Sequence, residues 1–488
     1  MVIESLKYKI LQQFGFAPTQ EQGQALDTFV SFLTDRDPQA VMILRGSAGT
    51  GKTSLSGAIV RTLLQIRQKV MLLAPTGRAA KVFSLGSGAP AYTIHRRIYR
   101  EKAFAGVDGQ FSLNDNLYTD TLFMVDEASM IANMGLGETT FGSGCLLDDL
   151  VKFVYQGHND RLLLIGDKAQ LPPVGEEESP ALSASVMEGY GLKVYECDLN
   201  EVLRQSQSSG ILYNATLIRQ MITHDAVTGL PLIRFKGFAD IVMMPGAELV
   251  ESLGDSYHHV GMDETMVITR SNKRANIYNN GIRNMVLDRE EELSSGDMLM
   301  IVKNNYFWTE KEKKESVEAS AGAVPAFLAN GDRAKVLRVS NYIELYGFRF
   351  ATLLLQFPDY DDYEMQVTGM LDTLQSEAPA LTHEQQEELF RQVEEDYQHF
   401  VPLKADRMKS IRQDAYFNAL QIKYAYAVTC HKAQGGQWAH VYVDQGYMTD
   451  DMLTPDYIHW LYTAFTRATD KLFLVNWPKE QTCEPTDL

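Results

Sequence analysis

Cysteine is scarce in this sequence, and it forms no recognisable metal-binding or disulfide pattern. The four cysteines, Cys145, Cys197, Cys430 and Cys483, are widely separated and include no CxxC pair. Short zinc motifs and disulfide frameworks need clustered cysteines, so neither is predicted. This usage favours a reducing compartment.

Long apolar runs are absent as well. No uninterrupted apolar stretch has the length needed to span a bilayer. Residues 1–16 alternate apolar and charged side chains instead of forming the apolar core of a signal peptide. We therefore expect a cytoplasmic protein with no membrane partner. Its 488 residues, with a hydrophobic fraction of 45%, suggest roughly three or four structural units.

Positive charge is also in short supply. Lysine and arginine number 45 against 63 aspartate and glutamate residues, which gives a net charge of −18. Phosphate contacts need lysine and arginine, so this balance argues at first sight against a nucleic-acid partner. Binding, however, depends on the local field. Much of the acid is concentrated in residues 359–364 and 384–396, which can lie away from a basic channel.

A glycine-rich turn follows the apolar run at residues 41–45. It consists of Gly46, Ser47, Ala48, Gly49, Thr50, Gly51, Lys52 and Thr53, and a helix-compatible stretch follows. Glycines allow backbone conformations in which successive N–H groups converge on phosphate oxygens. In this pattern Lys52 reaches the β- and γ-phosphates, Thr53 ligates Mg²⁺, and the helix presents its positive end. The sequence therefore predicts a nucleoside triphosphate site.

Two further predicted strands end in polar residues. Asp126 and Glu127 follow the strand over 121–125, and Gln170 follows the strand over 161–165. In a phosphate-loop enzyme one acid holds Mg²⁺ through water and a second carboxylate polarises the attacking water, which suits Asp126 and Glu127 respectively. The Gln170 amide can sense the γ-phosphate at the carboxyl edge of the sheet. Taken alone, the acidic pair is also compatible with a helix cap, and the Gln170 segment with a structural turn.

The predicted elements indicate an α/β protein with insertions. Strands over 41–44, 70–74, 121–125, 161–165 and 194–199 alternate with helices, which is typical of a parallel sheet. Residues 97–120 interrupt this pattern with a hairpin signal at Asp108-Gly109, flanked by Phe104 and Phe111. A second α/β pattern begins at residue 210, with strands over 266–269, 424–428, 441–443 and 471–475. Strands over 298–302, 333–339, 342–344 and 348–355 suggest a small β-barrel, followed by a helix over 382–400.

In this order the motifs resemble those of superfamily 1 DNA helicases of the 5′-to-3′ branch, which holds the RecD-like and phage Dda-like enzymes. The resemblance rests on the region of Gln22, the phosphate loop, and residues 74–80, 126–129, 166–174, 203–205, 429–435 and 462–468. It implies two RecA-like P-loop motor domains with a small hairpin insertion (1B) and an SH3-like β-barrel insertion (2B). The implied boundaries are 1–96 and 121–209 for domain 1A, 97–120 for 1B, 210–290 and 418–488 for 2A, and 291–417 for 2B with a helical extension.

The resemblance also implies an activity, its ligands and its site residues. The activity is ATP-dependent unwinding of DNA with 5′-to-3′ movement on single strands, ATP being hydrolysed with Mg²⁺ between the two motor domains. The implied catalytic residues are Lys52, Glu127, Gln170, Arg204 and Arg467. Nucleotide contacts come from Gln22, the loop from Gly46 to Thr53, Gln434 and Gly435, and the metal is held by Thr53 and Asp126. The implied DNA contacts are Pro75, Thr76, Thr93, His95, Thr429, His431 and Lys432. The implied partners are single-stranded DNA, single-strand to duplex junctions and replication or repair proteins, for a monomeric enzyme.

Some features depart from the family pattern or leave alternatives open. Ala433 stands where many relatives have serine, and the helix over 382–400 exceeds a minimal 2B domain. Phe104 and Phe111 suit packing better than base stacking. One alternative activity is a DNA-dependent translocase or loading ATPase with little unwinding. Another is a non-motor P-loop switch, which would need neither Arg467 nor the 429–435 loop.

Overall fold

The computed structural model describes residues 2–105, 108–135, 141–202, 208–223, 229–315, 325 and 327–483. The chain divides into two compact units, unit 1 (Met1–Met244 and Ala433–Leu488) and unit 2 (Pro245–Lys432). This division differs from the predicted domain boundaries, which stay a prediction. Within the described ranges, no helix has both the length and the apolar character needed to cross a membrane.

Strands and α-helices alternate along most of the chain. In chain order the strands are β1 Ala40–Gly46, β2 Lys69–Ala74, β3 Ala91–Thr93, β4 Tyr99–Ala105, β5 Asp108–Leu113, β6 Thr121–Val125, β7 Arg161–Gly166, β8 Lys193–Leu199, β9 Ile241–Met244, β10 Thr265–Thr269, β11 Met298–Ile301, β12 Arg333–Leu345, β13 Phe348–Phe357, β14 Tyr363–Met370, β15 Leu420–Tyr424, β16 Ala427–Thr429, β17 Trp438–Asp444 and β18 Ala468–Val475. The α-helices are α1 Val2–Phe14, α2 Gln20–Thr34, α3 Lys52–Gln65, α4 Gly77–Ser87, α5 Ile94–Ile98, α6 Leu146–Gln156, α7 Ala184–Gly189, α8 Gly210–Thr223, α9 Leu249–His259, α10 Asn272–Gly281, α11 Phe307–Glu315, α12 His383–Gln398, α13 Lys404–Arg412, α14 Cys430–Ala433 and α15 Pro455–Phe465.

The predicted parallel sheet is confirmed in unit 1. Its six strands lie in the order β3-β2-β6-β7-β1-β8, and β1 pairs in parallel with β7 and β8. Alternate residues of β1 face opposite layers: Met42 and Leu44 pack with α2 and α3, whereas Val41 and Ile43 pack with α6. Both faces are therefore covered, which explains why these strands read as continuous apolar runs. The carboxyl ends of β1, β6 and β7 carry the predicted nucleotide residues.

Unit 1 contains a second parallel group, in which β18 pairs with β17 and with β9. Strand β9 was not among the predicted strands, because its four residues are only partly buried and follow a polar segment. Helix α2, by contrast, begins where predicted. The Thr19 side chain accepts a hydrogen bond from the Gln22 backbone, and the Gln22 side chain accepts one from the Thr19 backbone, which forms a capping box.

The predicted hairpin is present, but its turn is not at Asp108-Gly109. Strands β4 and β5 pair antiparallel, with Ala105 opposite Asp108 and Phe104 opposite Gly109. Both residues of the predicted turn therefore belong to β5, and residues 106–107 lie outside the described ranges. The Phe111 ring stacks on Phe141 at 4.8 Å between ring centres, so Phe111 is a packing residue here.

The predicted barrel lies in unit 2 and is larger than expected. Five strands, β11 to β15, close it, so residues 291–355 do not suffice. Strand β14 directly follows the acidic turn at 359–362. Because these acidic residues adjoin the strand, its alternation of buried and exposed side chains was not recognised in the sequence. The predicted strand over 424–428 is really two strands: Tyr424 ends β15 in the barrel, and Ala427 begins β16, which pairs with β10.

The helix predicted over 382–400 is confirmed as α12, and the structure gives it a packing role. Thr382 and Gln385 form a capping box at its start. Leu389 and Val393 on its inner face belong to the same apolar cluster as Phe350 of β13. The helix is amphipathic, so its acids face solvent while it covers one side of the barrel.

Candidate nucleotide site

The glycine-rich loop joins β1 to α3 in the conformation that a phosphate cradle requires. Gly49 and Gly51 have φ values of 77° and 78°, in the left-handed region that favours glycine. A Cβ atom on Gly46 would lie 2.8 Å from Cγ of Lys52 and 3.0 Å from Cβ of Leu199. A side chain at Gly46 would therefore displace Lys52. The loop fits a phosphate group.

Lys52 and Gln22 both contact this loop. The Lys52 ammonium donates to the carbonyl oxygens of Gly46 and Ser47, the latter at 3.0 Å. The Gln22 side-chain N–H donates to the Thr50 carbonyl at 2.9 Å, while its oxygen accepts from the Thr19 backbone at 3.0 Å. Both ends of the Gln22 amide are thus used within the protein. In this structure Gln22 braces the loop.

The acidic pair lies at the carboxyl end of β6, as predicted. Asp126 accepts a hydrogen bond from the Glu127 backbone N–H at 2.9 Å. Loss of hydration, with the charge of Glu127 adding to it, raises the pKa of Asp126 to about 7. Glu127 has a φ of 52°, an uncommon value for a residue with a side chain. Carboxylate oxygens here and the exposed Thr53 at the start of α3 are ligands that suit Mg²⁺.

The loop after β7 carries an unsatisfied acceptor. The side-chain oxygen of Gln170 is buried and has no hydrogen-bond partner among the described residues. A buried acceptor without a hydrogen bond destabilises the folded protein unless a bound water or ligand donates to it. The neighbouring Leu171 donates its N–H to the Thr463 hydroxyl at 2.8 Å and accepts from the Gln434 amide at 2.7 Å. The loop is thus held by α15 and by the segment after α14, with Gln170 left to bind a polar group.

Tyr462 links this loop to the phosphate loop. Its hydroxyl donates to Asp167 at 2.6 Å and accepts from the Ala48 backbone N–H at 2.9 Å. Burial, with the charge of Asp167 adding to it, raises the pKa of Tyr462 well above its ordinary value. The phenol therefore stays protonated as the donor to Asp167. Tyr462 lies in the motif at residues 462–468, where the sequence alone indicated no role for it.

Arg467, one of the two predicted arginines, does not contact the phosphate loop in the described structure. Arg467 is buried and donates to the carbonyls of Thr463 and Gly436, each at 3.1 Å, and to the Thr466 hydroxyl at 3.2 Å. Arg204 lies outside the described residues. An arginine that no motif singled out, Arg219 of α8, instead donates to the Ser47 hydroxyl. Its sequence context carried no signal of this contact.

One predicted DNA contact, Thr76, lies close to Gly435, a predicted nucleotide contact. Thr76, which follows Pro75, caps α4 by accepting from the Ala79 backbone at 3.2 Å. Gly435 has a φ of 72°, and a Cβ atom there would lie 3.1 Å from both the Thr76 hydroxyl oxygen and the Ala79 Cβ. Segment 74–80 is therefore in close contact with Gly435 within unit 1. A side chain at Gly435 would not fit.

Thr93 and His95 lie at the base of the hairpin. Thr93 caps α5 through a 3.4 Å hydrogen bond from the Arg96 backbone. The His95 ring packs against Tyr99 and Phe141, with ring centres 5.6 and 5.0 Å apart. Burial lowers the pKa of His95 to about 4, so the imidazole is neutral at pH 7. It can offer a hydrogen bond but no positive charge.

The remaining predicted DNA contacts follow β16 in unit 2. Thr429 ends that strand opposite Thr269 of β10, and His431 and Lys432 lie in α14. Burial lowers the pKa of Lys432. Burial, with the charge of Lys432 adding to it, lowers the pKa of Lys423 to about 8. The buried Lys423 and the half-buried Lys432 thus concentrate positive charge in an acidic protein, which suits an anionic ligand.

Two parts of this chain match known protein families. Residues 17–229 match the AAA domain family, and residues 424–475 match the UvrD-like helicase C-terminal domain. The ATP-dependent RecD2 DNA helicase of Deinococcus radiodurans is 30% identical over 157 residues, which cover 32% of this chain and 18% of that protein. These matches bear out the predicted resemblance to superfamily 1 helicases of the 5′-to-3′ branch. The predicted α/β fold class is thereby confirmed, with RecA-like motor domains, a hairpin and a five-stranded barrel.

Other relatives of this chain are more distant or match only part of it. Protein MJ1519 of Methanocaldococcus jannaschii is 33% identical over 168 residues, covering 32% of this chain and 13% of that protein. Protein R530 of Acanthamoeba polyphaga mimivirus is 22% identical over 508 residues, covering 90% and 96% respectively. The crystal structure of the Pif1 helicase from Bacteroides in complex with ADP-AlF3 and ssDNA is 13% identical, with a TM-score of 0.46 and coverage of 96% and 95%.

Proposed function

We propose that this chain is an ATP-dependent DNA helicase that moves 5′-to-3′ along single-stranded DNA and unwinds duplexes. One observation carries the proposal. Gln434 donates to the Leu171 carbonyl on the nucleotide side, and its neighbour Gly435 packs against Thr76 and Ala79 on the DNA side. Adjacent residues thus contact the two predicted sites, which is the coupling that a nucleic-acid motor needs.

In the proposed mechanism, residues of the chain divide the work at the nucleotide. Lys52 and the loop N–H groups bind the phosphates, and Thr53 and Asp126 hold Mg²⁺, which neutralises phosphoryl charge when bound. Glu127 accepts a proton from the attacking water, and the free oxygen of Gln170 orients that water. Arg204 and Arg467 stay predicted catalytic residues, and Gln22, Gln434 and Gly435 support the nucleotide site.

On the DNA side, we propose that the backbone of a single strand is bound by Pro75, Thr76, Thr93, His95, Thr429, His431 and Lys432. These residues offer hydroxyl, imidazole and ammonium groups, which position a nucleic-acid backbone without reading its sequence. The substrate is then a single strand adjoining a duplex. The monomeric state, the cytoplasmic location, the domain boundaries and the replication or repair partners stay predictions.

The test is ATP-driven strand displacement on two matched duplexes, one with a 5′ tail and one with a 3′ tail. We expect unwinding from the 5′ tail alone. Lys52→Ala should abolish hydrolysis while retaining DNA binding, and Glu127→Gln should bind ATP but hydrolyse it slowly. Unwinding from the 3′ tail alone would contradict the direction. DNA-stimulated hydrolysis without unwinding would favour the translocase, and hydrolysis indifferent to DNA would favour a non-motor switch.

A further inference from the structure

Helix α8 lies directly against the phosphate loop. The Leu212 side chain sits 3.2 Å from the position that a Cβ atom on Gly49 would take. Seven residues later, about two turns along the same face, Arg219 donates to the hydroxyl of Ser47 and, at 3.5 Å, to the Asn200 carbonyl. The helix therefore brings one cationic side chain onto the loop.

Arg219 has no carboxylate partner among the residues that the structure describes. Its contacts are neutral oxygens, although a half-buried guanidinium usually pairs with an anion. Lys52 donates to the carbonyl of the same residue, Ser47, at 3.0 Å. Two cations therefore converge on Ser47, and Arg219 has no anionic partner within the described ranges.

The position of Arg219 indicates which part of a nucleotide it faces. Ser47 and Ala48 lie at the β1 end of the loop, where Lys52 is held and where Tyr462 connects Ala48 to Asp167. The P-loop lysine serves the β- and γ-phosphates. The other end of the loop, Gly51, leads into α3. Arg219 therefore lies on the side of the loop that serves the terminal phosphate.

We propose that Arg219 is a further phosphate-binding residue, whose guanidinium leaves the Ser47 hydroxyl to bind the terminal phosphate of ATP. The planar guanidinium fork matches two phosphate oxygens, and its charge stabilises the trigonal phosphoryl group during transfer. This inference rests on the proposed ATPase function. It makes Arg219 a determinant of the preference for triphosphate over diphosphate.

The test compares the affinities of wild type, Arg219→Gln and Arg219→Lys for ADP and for a non-hydrolysable ATP analogue, by competition with a fluorescent nucleotide without DNA. We expect Arg219→Gln to weaken analogue binding at least tenfold and ADP binding less than threefold. Arg219→Lys should show a smaller selective loss, since lysine keeps the charge but not the fork. The turnover number of Arg219→Gln should also fall by at least tenfold.

Arg61→Gln is the matched control. Arg61 is also half-buried and donates only to backbone carbonyls, those of Gly86 and Gln13, among the described residues. The Arg61→Gln variant should bind ADP and the ATP analogue with the affinities of the wild type. Equal losses for the two nucleotides in Arg219→Gln, or no loss, would overturn the inference. If Arg219→Gln does not fold, Arg219→Lys decides by the same comparison. Failure of the wild type to bind either nucleotide would instead contradict the proposed function.

Discussion

Tyr462 shows how one side chain can join segments that are distant in sequence. Its hydroxyl is donor to Asp167 and acceptor for Ala48, which precedes it by 414 positions. The hydroxyl oxygen of Tyr462, on helix α15, is therefore hydrogen-bonded both to the phosphate loop and to the loop after β7. Loss of that atom would leave a buried carboxylate and a backbone N–H without this partner, and each such group is costly.

The Tyr462→Phe variant tests this linkage. We expect its free energy of unfolding to fall by roughly 1–3 kcal/mol, because Asp167 loses a buried donor. Added ADP should raise the thermal midpoint more in Tyr462→Phe than in wild type, because a phosphate can accept the freed Ala48 N–H. Differential scanning fluorimetry with and without nucleotide measures both effects.

Tyr155→Phe serves as the control for Tyr462→Phe. Tyr155 also donates its hydroxyl to the interior, at 2.8 Å to the Ala40 carbonyl, but away from the phosphate loop. The decrease in the thermal midpoint of Tyr155→Phe should be the same with and without nucleotide. Equal nucleotide-induced shifts in both variants would show that Tyr462 does not occupy a phosphate-binding N–H.

Residues of the site were predictable from sequence to the extent that their motifs are local. Lys52 and Asp126 stand in short patterns whose spacing reflects the geometry of one loop or one strand end. Arg219 and Tyr462 meet the phosphate loop only through the tertiary fold, with partners 172 and 414 positions away. No local pattern encodes such contacts, so only the structure reveals them.

At the scale of elements, the barrel depends on a close approach at Gly369. This residue pairs with Leu420 where β14 meets β15. A Cβ atom there would lie 2.5 Å from Cδ1 of Leu353 and 3.3 Å from Cδ1 of Ile422. Leu353 and Ile422 are fully buried, so neither side chain has space into which it can move. The closing strand pair therefore needs a residue without a side chain.

Gly369→Val should destabilise unit 2 through overpacking. We expect a loss of roughly 1–3 kcal/mol, which for a unit of this size lowers the thermal midpoint by about 2–4 °C per kcal/mol. Scanning calorimetry measures the change. Gly254→Ala in α9 is the control, since a Cβ atom there meets nothing within 4 Å. A Gly369→Val midpoint equal to that of the control would show that the barrel accommodates the side chain.

Elements were predicted well where burial is continuous and less well where the chain changes partners. The strands of the parallel sheet have both faces covered, so their apolar runs are unmistakable. The barrel strand β14 shows polar outward residues and follows an acidic turn. The run from 420 to 429 serves the barrel and then a different sheet, with its division at Ala425 and Tyr426. In both places, the strand assignment depends on pairing with strands that are distant in sequence.

For the molecule as a whole, the distribution of charge matters more than its total. The net charge is −18. The acids of α12 lie on the helix that covers the barrel, whereas two neighbouring cations, the buried Lys423 of β15 and the half-buried Lys432 of α14, lie elsewhere in unit 2. When an acidic molecule binds an anionic strand at a local positive site, counterion release weakens binding as salt rises, and screening of the overall repulsion partly offsets that loss.

Lys432→Gln tests whether this local charge binds DNA. We expect weaker binding of an oligothymidine strand and a salt dependence whose logarithmic slope is smaller by about 0.7, the value for one phosphate contact on a single strand. Fluorescence anisotropy over a range of salt concentrations gives both quantities. Lys471→Gln, an exposed lysine on β18, removes the same charge elsewhere. Identical slopes for the two variants would argue against a phosphate contact at Lys432.

The adjacency of Gln434 and Gly435 has a mechanical consequence. Gln434 is bonded to Leu171, and Gly435 sits so close to Thr76 that no side chain fits between them. One rigid peptide, about 3.8 Å between Cα atoms, separates the two attachments. The path from the Leu171 carbonyl to Thr76 therefore consists of the Gln434 side chain and this one peptide.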